Sequence, residues 1–103
     1  MFQIEYLYII DGDSFQCEFT DFGPTSIVTC NLYNFDAPEI VSTEREKAIE
    51  VKKFLSEVFS FSNAEYYIKP VEIGKDGRLN VYLFRKKGDT LVNINTLMKK
   101  IFE

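Results

Sequence analysis

The apolar positions of this chain fall into short alternating runs broken by turn residues, and helical spacing takes over in two places. From Phe2 to Ile10 the residues Phe2, Ile4, Tyr6, Tyr8 and Ile10 share one phase, the period-two pattern of a strand with one buried face. Asp11-Gly12 breaks that run. From Ser14 to Thr20, Phe15, Cys17 and Phe19 alternate with Gln16, Glu18 and Thr20, which predicts a second strand with one wet face. Asp21-Phe22-Gly23-Pro24 is a turn signal, and the β-branched stretch Thr25 to Tyr33 predicts a third strand, so the chain opens as an antiparallel meander.

The period then changes. Asp36 to Val41 reads as a loop, with Pro38 pushing Ala37 towards an extended backbone. Thr43-Glu44-Arg45-Glu46 has the Thr-x-x-Glu form of a capping box. Ala48, Val51, Leu55, Val58 and Phe59 follow at three- and four-residue spacings, one apolar stripe that reads as core packing. Ser60 to Asn63 closes that helix. Ala64 to Val71 predicts a fourth strand, with Pro70 marking its end or an edge. Ile73 to Gly77 is a turn, Leu79 to Phe84 a fifth strand, and Arg85-Lys86-Lys87-Gly88-Asp89 a solvated turn. Asn93 is placed to cap a last helix with Ile94, Leu97, Met98 and Ile101 facing inward, and Lys99 and Lys100 suit its C-terminal dipole. Five strands, a helix between the third and fourth, and a C-terminal helix make the element order of a five-stranded OB-fold β-barrel, an α+β arrangement. One domain over residues 1–103 is expected.

Composition narrows this reading. Hydrophobic residues are 46% of the 103, and aromatics 16%, enough for one modest core and too much for a disordered chain. No apolar run is long enough to span a membrane, and Met1 to Ile10 holds no basic residue of the kind that starts a signal peptide. The expectation is an intracellular location, cytoplasmic or nuclear, with no membrane partner. Cys17 and Cys30 sit in predicted strands that flank the hairpin turn Asp21–Pro24. Without a secretion signal they are expected as free buried thiols rather than a bridge. With no His and only two Cys, a zinc site is not expected. The net charge of −4 argues against unassisted binding to a polyanion, which would need a local basic patch or a bound cation.

Two apolar runs stop abruptly at carboxylates: Ile9-Ile10-Asp11-Gly12-Asp13-Ser14-Phe15 and Leu32-Tyr33-Asn34-Phe35-Asp36-Ala37-Pro38-Glu39. Taken alone, Asp11-Gly12 is no more than a turn. Two such rims brought together would make an oxygen-rich pocket suited to a hard cation such as Ca²⁺. Four segments then occur in one order over nearly the whole chain: Ile10-Asp11-Gly12-Asp13-Ser14, Asp36-Ala37-Pro38-Glu39, Lys75-Asp76-Gly77-Arg78, and Leu91-Val92-Asn93 followed by Leu97. Together they resemble the staphylococcal nuclease-like (thermonuclease) family. The matched features are its D-G-D-[ST] turn, its D-[AT]-P-E loop, the segment that delivers an arginine to the fifth strand, and its l-V-N-x-x-L helix start.

The resemblance implies a Ca²⁺-dependent phosphodiesterase, an endonuclease or exonuclease, on an OB-fold barrel. Asp13, Asp36 and the backbone carbonyl of Ala37 would be the metal ligands. Glu39 would position or deprotonate the attacking water, and Arg78 would hold the phosphate and offset charge as the bond breaks. Lys75 matches a phosphate-contacting lysine. Asp11 would tighten the turn and Gly12 would let the chain bend there. A divalent cation polarises a phosphoryl oxygen, and an arginine supplies planar positive charge opposite the transition state. Two departures weaken the match. Asn31 stands where active members carry a second arginine, and one preorganised donor is worth about 10²–10³ in rate. The chain also stops at Glu103, before the tyrosines with which longer members grip the nucleotide. Two functions follow. One is a weakened nuclease acting on single-stranded DNA or RNA. The other is a catalytically inactive module on the same barrel that binds nucleic acid, with Tyr66, Tyr67 or Tyr82 as stacking platforms, or a protein partner.

Overall fold

A computed structural model describes residues 1–20, 27–37, 44–74 and 76–103. In chain order the elements are β1 (Phe2–Asp11), β2 (Ser14–Phe19), β3 (Ile27–Leu32), α1 (Arg45–Val58), β4 (Glu65–Ile73), β5 (Leu79–Lys87), β6 (Thr90–Asn93) and α2 (Ile94–Phe102). The strands lie in the order β3-β2-β1-β4-β5-β6. Parallel pairing of β3 with β5, with Cys30 opposite Leu79 and Leu32 opposite Val81, closes the first five strands into a mixed barrel of OB-fold-like form. The expected barrel, with a helix after the third strand and another at the C-terminus, is present.

The core fills the barrel. Phe15, Cys17, Cys30, Ile68, Val81 and Leu83 are fully buried from the strands, and Ile94 and Met98 from α2. The stripe Ala48, Val51, Leu55 and Val58 is the buried face of α1, as its spacing predicts. Cys17 and Cys30 are buried free thiols whose Sγ atoms lie 3.8 Å apart. Their mutual hydrogen bond, then burial, pushes the Cys30 thiol far up.

Several details differ from the expectations. The β1 phase holds only to Tyr6. Register shifts against β2 between Tyr6 and Tyr8 and between Ile9 and Asp11 turn Tyr8 outward, to 51% exposure, and bring Ile9 onto the core. Of the two readings of Pro70 the edge holds: β4 runs on through it, paired on one side with β5. The ladder slips between Pro70 and Glu72, while β1 pairs β4 only as far as Ile68. The solvated turn read over Arg85–Asp89 is mostly strand. β5 runs to Lys87, turns at Gly88 (φ +61°) and returns as β6, with Lys87 opposite Thr90. At the end of α2, Ile101 is 49% exposed over the outer side of α1, and Phe102 meets Phe54 edge-on instead, with ring centroids 5.5 Å apart. The cap on α2 is as expected: the Asn93 side chain accepts from the Thr96 N–H at 3.1 Å. Helix α1 begins after Glu44, which makes no side-chain capping bond, and Thr43 of the expected capping box lies outside the described residues. So do Thr25 and the turn Asp21–Pro24.

Candidate metal and phosphate site

The turn between β1 and β2 is built for close approach. A Cβ on Gly12 would lie 2.6 Å from Val51 Cγ1 and 2.9 Å from Ala37 Cβ. Its φ is not in the left-handed region, so space rather than backbone freedom demands glycine there. This corrects the expectation of a glycine needed for bending. The contact seats the Asp11-Gly12-Asp13 turn directly against α1 and the loop after β3.

Asp13 ties the two carboxylate-ended runs together. Its carbonyl accepts the Leu32 N–H at 2.7 Å, and its carboxylate Oδ2 accepts the Ala37 N–H at 3.3 Å. Burial raises the Asp13 pKa above its ordinary value. The Ala37 N–H opposes that shift, and the charges of Asp11 and Asp36 add to it. Asp36 and Ala37 also line a cavity of about 230 Å³ with Glu44, Lys47, Val51 and Phe102.

The loop that carries Asp36 is anchored from behind. The Tyr33 N–H donates to the Val81 carbonyl at 2.8 Å, Asn34 turns the chain at φ 60°, and Phe35 is buried. Beneath it, Asn95 is 4% exposed and uses both ends of its amide. Its Oδ1 accepts from the Leu83 N–H at 2.8 Å, and its Nδ2 donates to the carbonyls of Tyr33 and Val81 at 2.9 Å each. Sequence reading missed Asn95. The signal was an amide between Ile94 and Met98, inside the inward-facing stretch of the last helix.

Asn31 sits on β3 between Ser14 of β2 and Asn80 of β5, which share its side of the sheet. Asn80 donates to Glu72 Oε1 at 3.1 Å. Ser14 is buried, and among the described residues its hydroxyl has no hydrogen-bond partner. Arg78 stands just before β5, in a turn closed by the Gly74 N–H donating to the Arg78 carbonyl at 2.7 Å. Its Nε lies 3.1 Å from Asp76 Oδ2, and its backbone N–H donates to Asp76 Oδ1 at 3.2 Å. Three residues of strand, about 10 Å, separate Arg78 from Val81, the residue opposite Leu32.

The fold therefore brings Asp13 together with the Asp36-Ala37 loop, and it binds Arg78 to Asp76. Glu39 and Lys75 lie outside the described residues. Of the candidate stacking tyrosines, Tyr66 belongs to the core, its hydroxyl donating to the Val58 carbonyl at 2.6 Å. Tyr67 donates to Glu65, and Tyr82 packs edge-on against Tyr33. Asp13, Asp36 and a loop carbonyl are hard oxygen donors, the chemistry Ca²⁺ accepts. Among the described residues, no three His, Cys, Asp or Glu side chains converge as a ligand group. No protein-family model and no curated relative matches this chain.

Proposed function

We propose that the turn after β1 and the loop after β3 form a Ca²⁺ site of a phosphodiesterase, of the staphylococcal nuclease-like kind, slowed by Asn31. One observation carries this reading. The Asp13 carboxylate is held partly out of water beside two further aspartates, and each of these causes raises its pKa. Negative charge crowded in this way costs free energy that a divalent cation returns. Asp13, Asp36 and the Ala37 carbonyl would hold the ion, and Glu39 would serve the attacking water. A bound Ca²⁺ supplies the charge that polarises a phosphoryl oxygen. The chain's own residues do the rest: the Ala37 N–H fixes the Asp13 carboxylate, Arg78 meets the phosphate on leaving Asp76, and Asn31 offers a neutral hydrogen bond where a second cation would act.

The test is hydrolysis of fluorogenic single-stranded DNA and RNA, with Ca²⁺ and with chelator, by the native chain and by Asn31→Arg. Chelator-sensitive turnover that rises about 10²-fold or more in the variant supports the reading. Silence from both folded proteins overturns it. The Arg78–Asp76 ion pair favours a second reading, in which the arginine serves the turn alone and the barrel is a non-catalytic binding module. In that case Asp76→Asn, which frees Arg78, leaves turnover at zero.

A further inference from the structure

β5 turns at Gly88 and returns as β6, so the end of β5 lies between β4 and β6, with Tyr66 of β4 opposite Arg85. Arg85 stands opposite Val92 and Lys87 opposite Thr90, so these four side chains share one face. Phe61, from the segment after α1, lies against that face. The Arg85 guanidinium is 4.2 Å from its ring centroid and the Lys87 ammonium 5.5 Å. The five residues enclose a cavity of about 220 Å³. Lys86, on the opposite face, stands across from Glu65. Among the described residues, neither Arg85 nor Lys87 has an ion-pair partner. Two cations thus crowd one half-exposed ring in a chain whose net charge is −4. The ring face attracts each of them, but only an anion relieves their mutual repulsion.

The second observation concerns the backbone. β6 is the last strand in the sheet order, so its outer edge takes no strand among the described residues. Such an edge accepts an extended peptide by main-chain hydrogen bonds, with side-chain pockets giving specificity. A strand added there would lie about 10 Å from β5, a gap that an arginine and a glutamate side chain bridge between them.

We propose that the β5–β6 hairpin docks an extended acidic peptide segment. The peptide pairs with β6 and seats one carboxylate between Arg85 and Lys87, above the apolar floor of Phe61 and Val92. A single strand of nucleic acid fits less well. The Phe61 ring is already engaged by Arg85, and a nucleic acid has no amides with which to extend a sheet.

The experiment titrates the isotope-labelled native chain, in chelator, with a short peptide of alternating Val and Glu. Its Val–Gln counterpart and a single-stranded oligothymidine are run alongside. The expected result is amide shifts at Phe61 and Thr90–Asn93 with the Glu peptide. The Gln peptide should bind at least about tenfold more weakly, Arg85→Gln and Lys87→Gln should each lose about tenfold, and affinity should fall as salt rises. Lys87 is exposed, so Lys87→Gln keeps the test sound if Arg85→Gln fails to fold. Equal binding of the two peptides, shifts confined to other elements, or binding of the oligonucleotide alone would overturn the proposal. Chelator keeps the outcome independent of the Ca²⁺ site.

Discussion

At the scale of single residues, the two most informative groups are a carboxylate partly withdrawn from water and a hydroxyl that is buried without a partner among the described residues. Asp13 titrates above its ordinary value of 3.8, chiefly because it is buried. The folded chain therefore holds that proton more tightly than the unfolded chain. The group's contribution to stability is full below the unfolded pKa and is lost as pH rises through the folded one. Asp13→Asn keeps an oxygen for the Ala37 N–H and removes the charge. It should raise the melting temperature at pH 7 in chelator, and the gain should vanish near pH 3. Melts at the two pH values check this, and a loss at pH 7 would mean that the charged carboxylate is stabilising. The Ser14 hydroxyl is buried without a bond among the described residues. Ser14→Ala should therefore raise stability by about 1 kcal/mol in urea unfolding, because a buried unpaired hydroxyl costs more than it returns.

At the scale of elements, the loop bearing Asp36 is held by α2. Asn95 links α2 to the backbone of β5 and of Tyr33 by three hydrogen bonds. Asn95→Ala leaves those buried groups unpaired and should cost about 3 kcal/mol in urea unfolding. Asn95→Asp should cost more, since it replaces two donor bonds with a charge facing two carbonyls. Gly12 joins the first turn to α1, and Gly12→Ala should cost about 1–3 kcal/mol through overpacking against Val51. Much of this architecture was legible. Alternation marked β2, the stripe marked α1, and Asn93 announced the cap of α2. The hairpin of β5 and β6 was not legible, because Arg85 and Lys87 continue the phase of the buried Leu83 as cations, covered by the Phe61 ring rather than by apolar neighbours, and so read as a solvated turn. The tail of the β1 pattern misled for another reason: a bulge shifts the phase, and no single residue type marks one. Arg78 was visible as a cation, but its partner depended on how the Gly74–Arg78 turn folds.

At the scale of the whole molecule, β5 separates two sites of opposite charge. Asp13 is bonded to Leu32, which stands opposite Val81 of β5, and Arg85 and Lys87 lie four and six residues further along that strand, about 13 and 20 Å away. The overall charge of −4 conceals this division. It also sets the most direct measurement of the acidic site. An ion that binds only the folded chain stabilises it by about 2.7 kcal/mol at a hundred times its Kd, which is a rise of about 10 °C or more in Tm for a domain of this size. Ca²⁺ should produce that rise in the native chain and in Asn31→Arg, because Asn31 lies outside the ligand set. It should fail in Asp13→Asn and in Asp36→Asn. Mg²⁺ should do less, because it sheds its waters reluctantly and demands a tighter octahedron than two carboxylates and a loop carbonyl provide. A Ca²⁺ response in the native chain without turnover would separate an intact metal pocket from a catalytic lesion at Asn31. No response in any of the four proteins would mean that the crowded aspartates are a feature of the turn alone, and the barrel's activity would then rest on its binding surfaces.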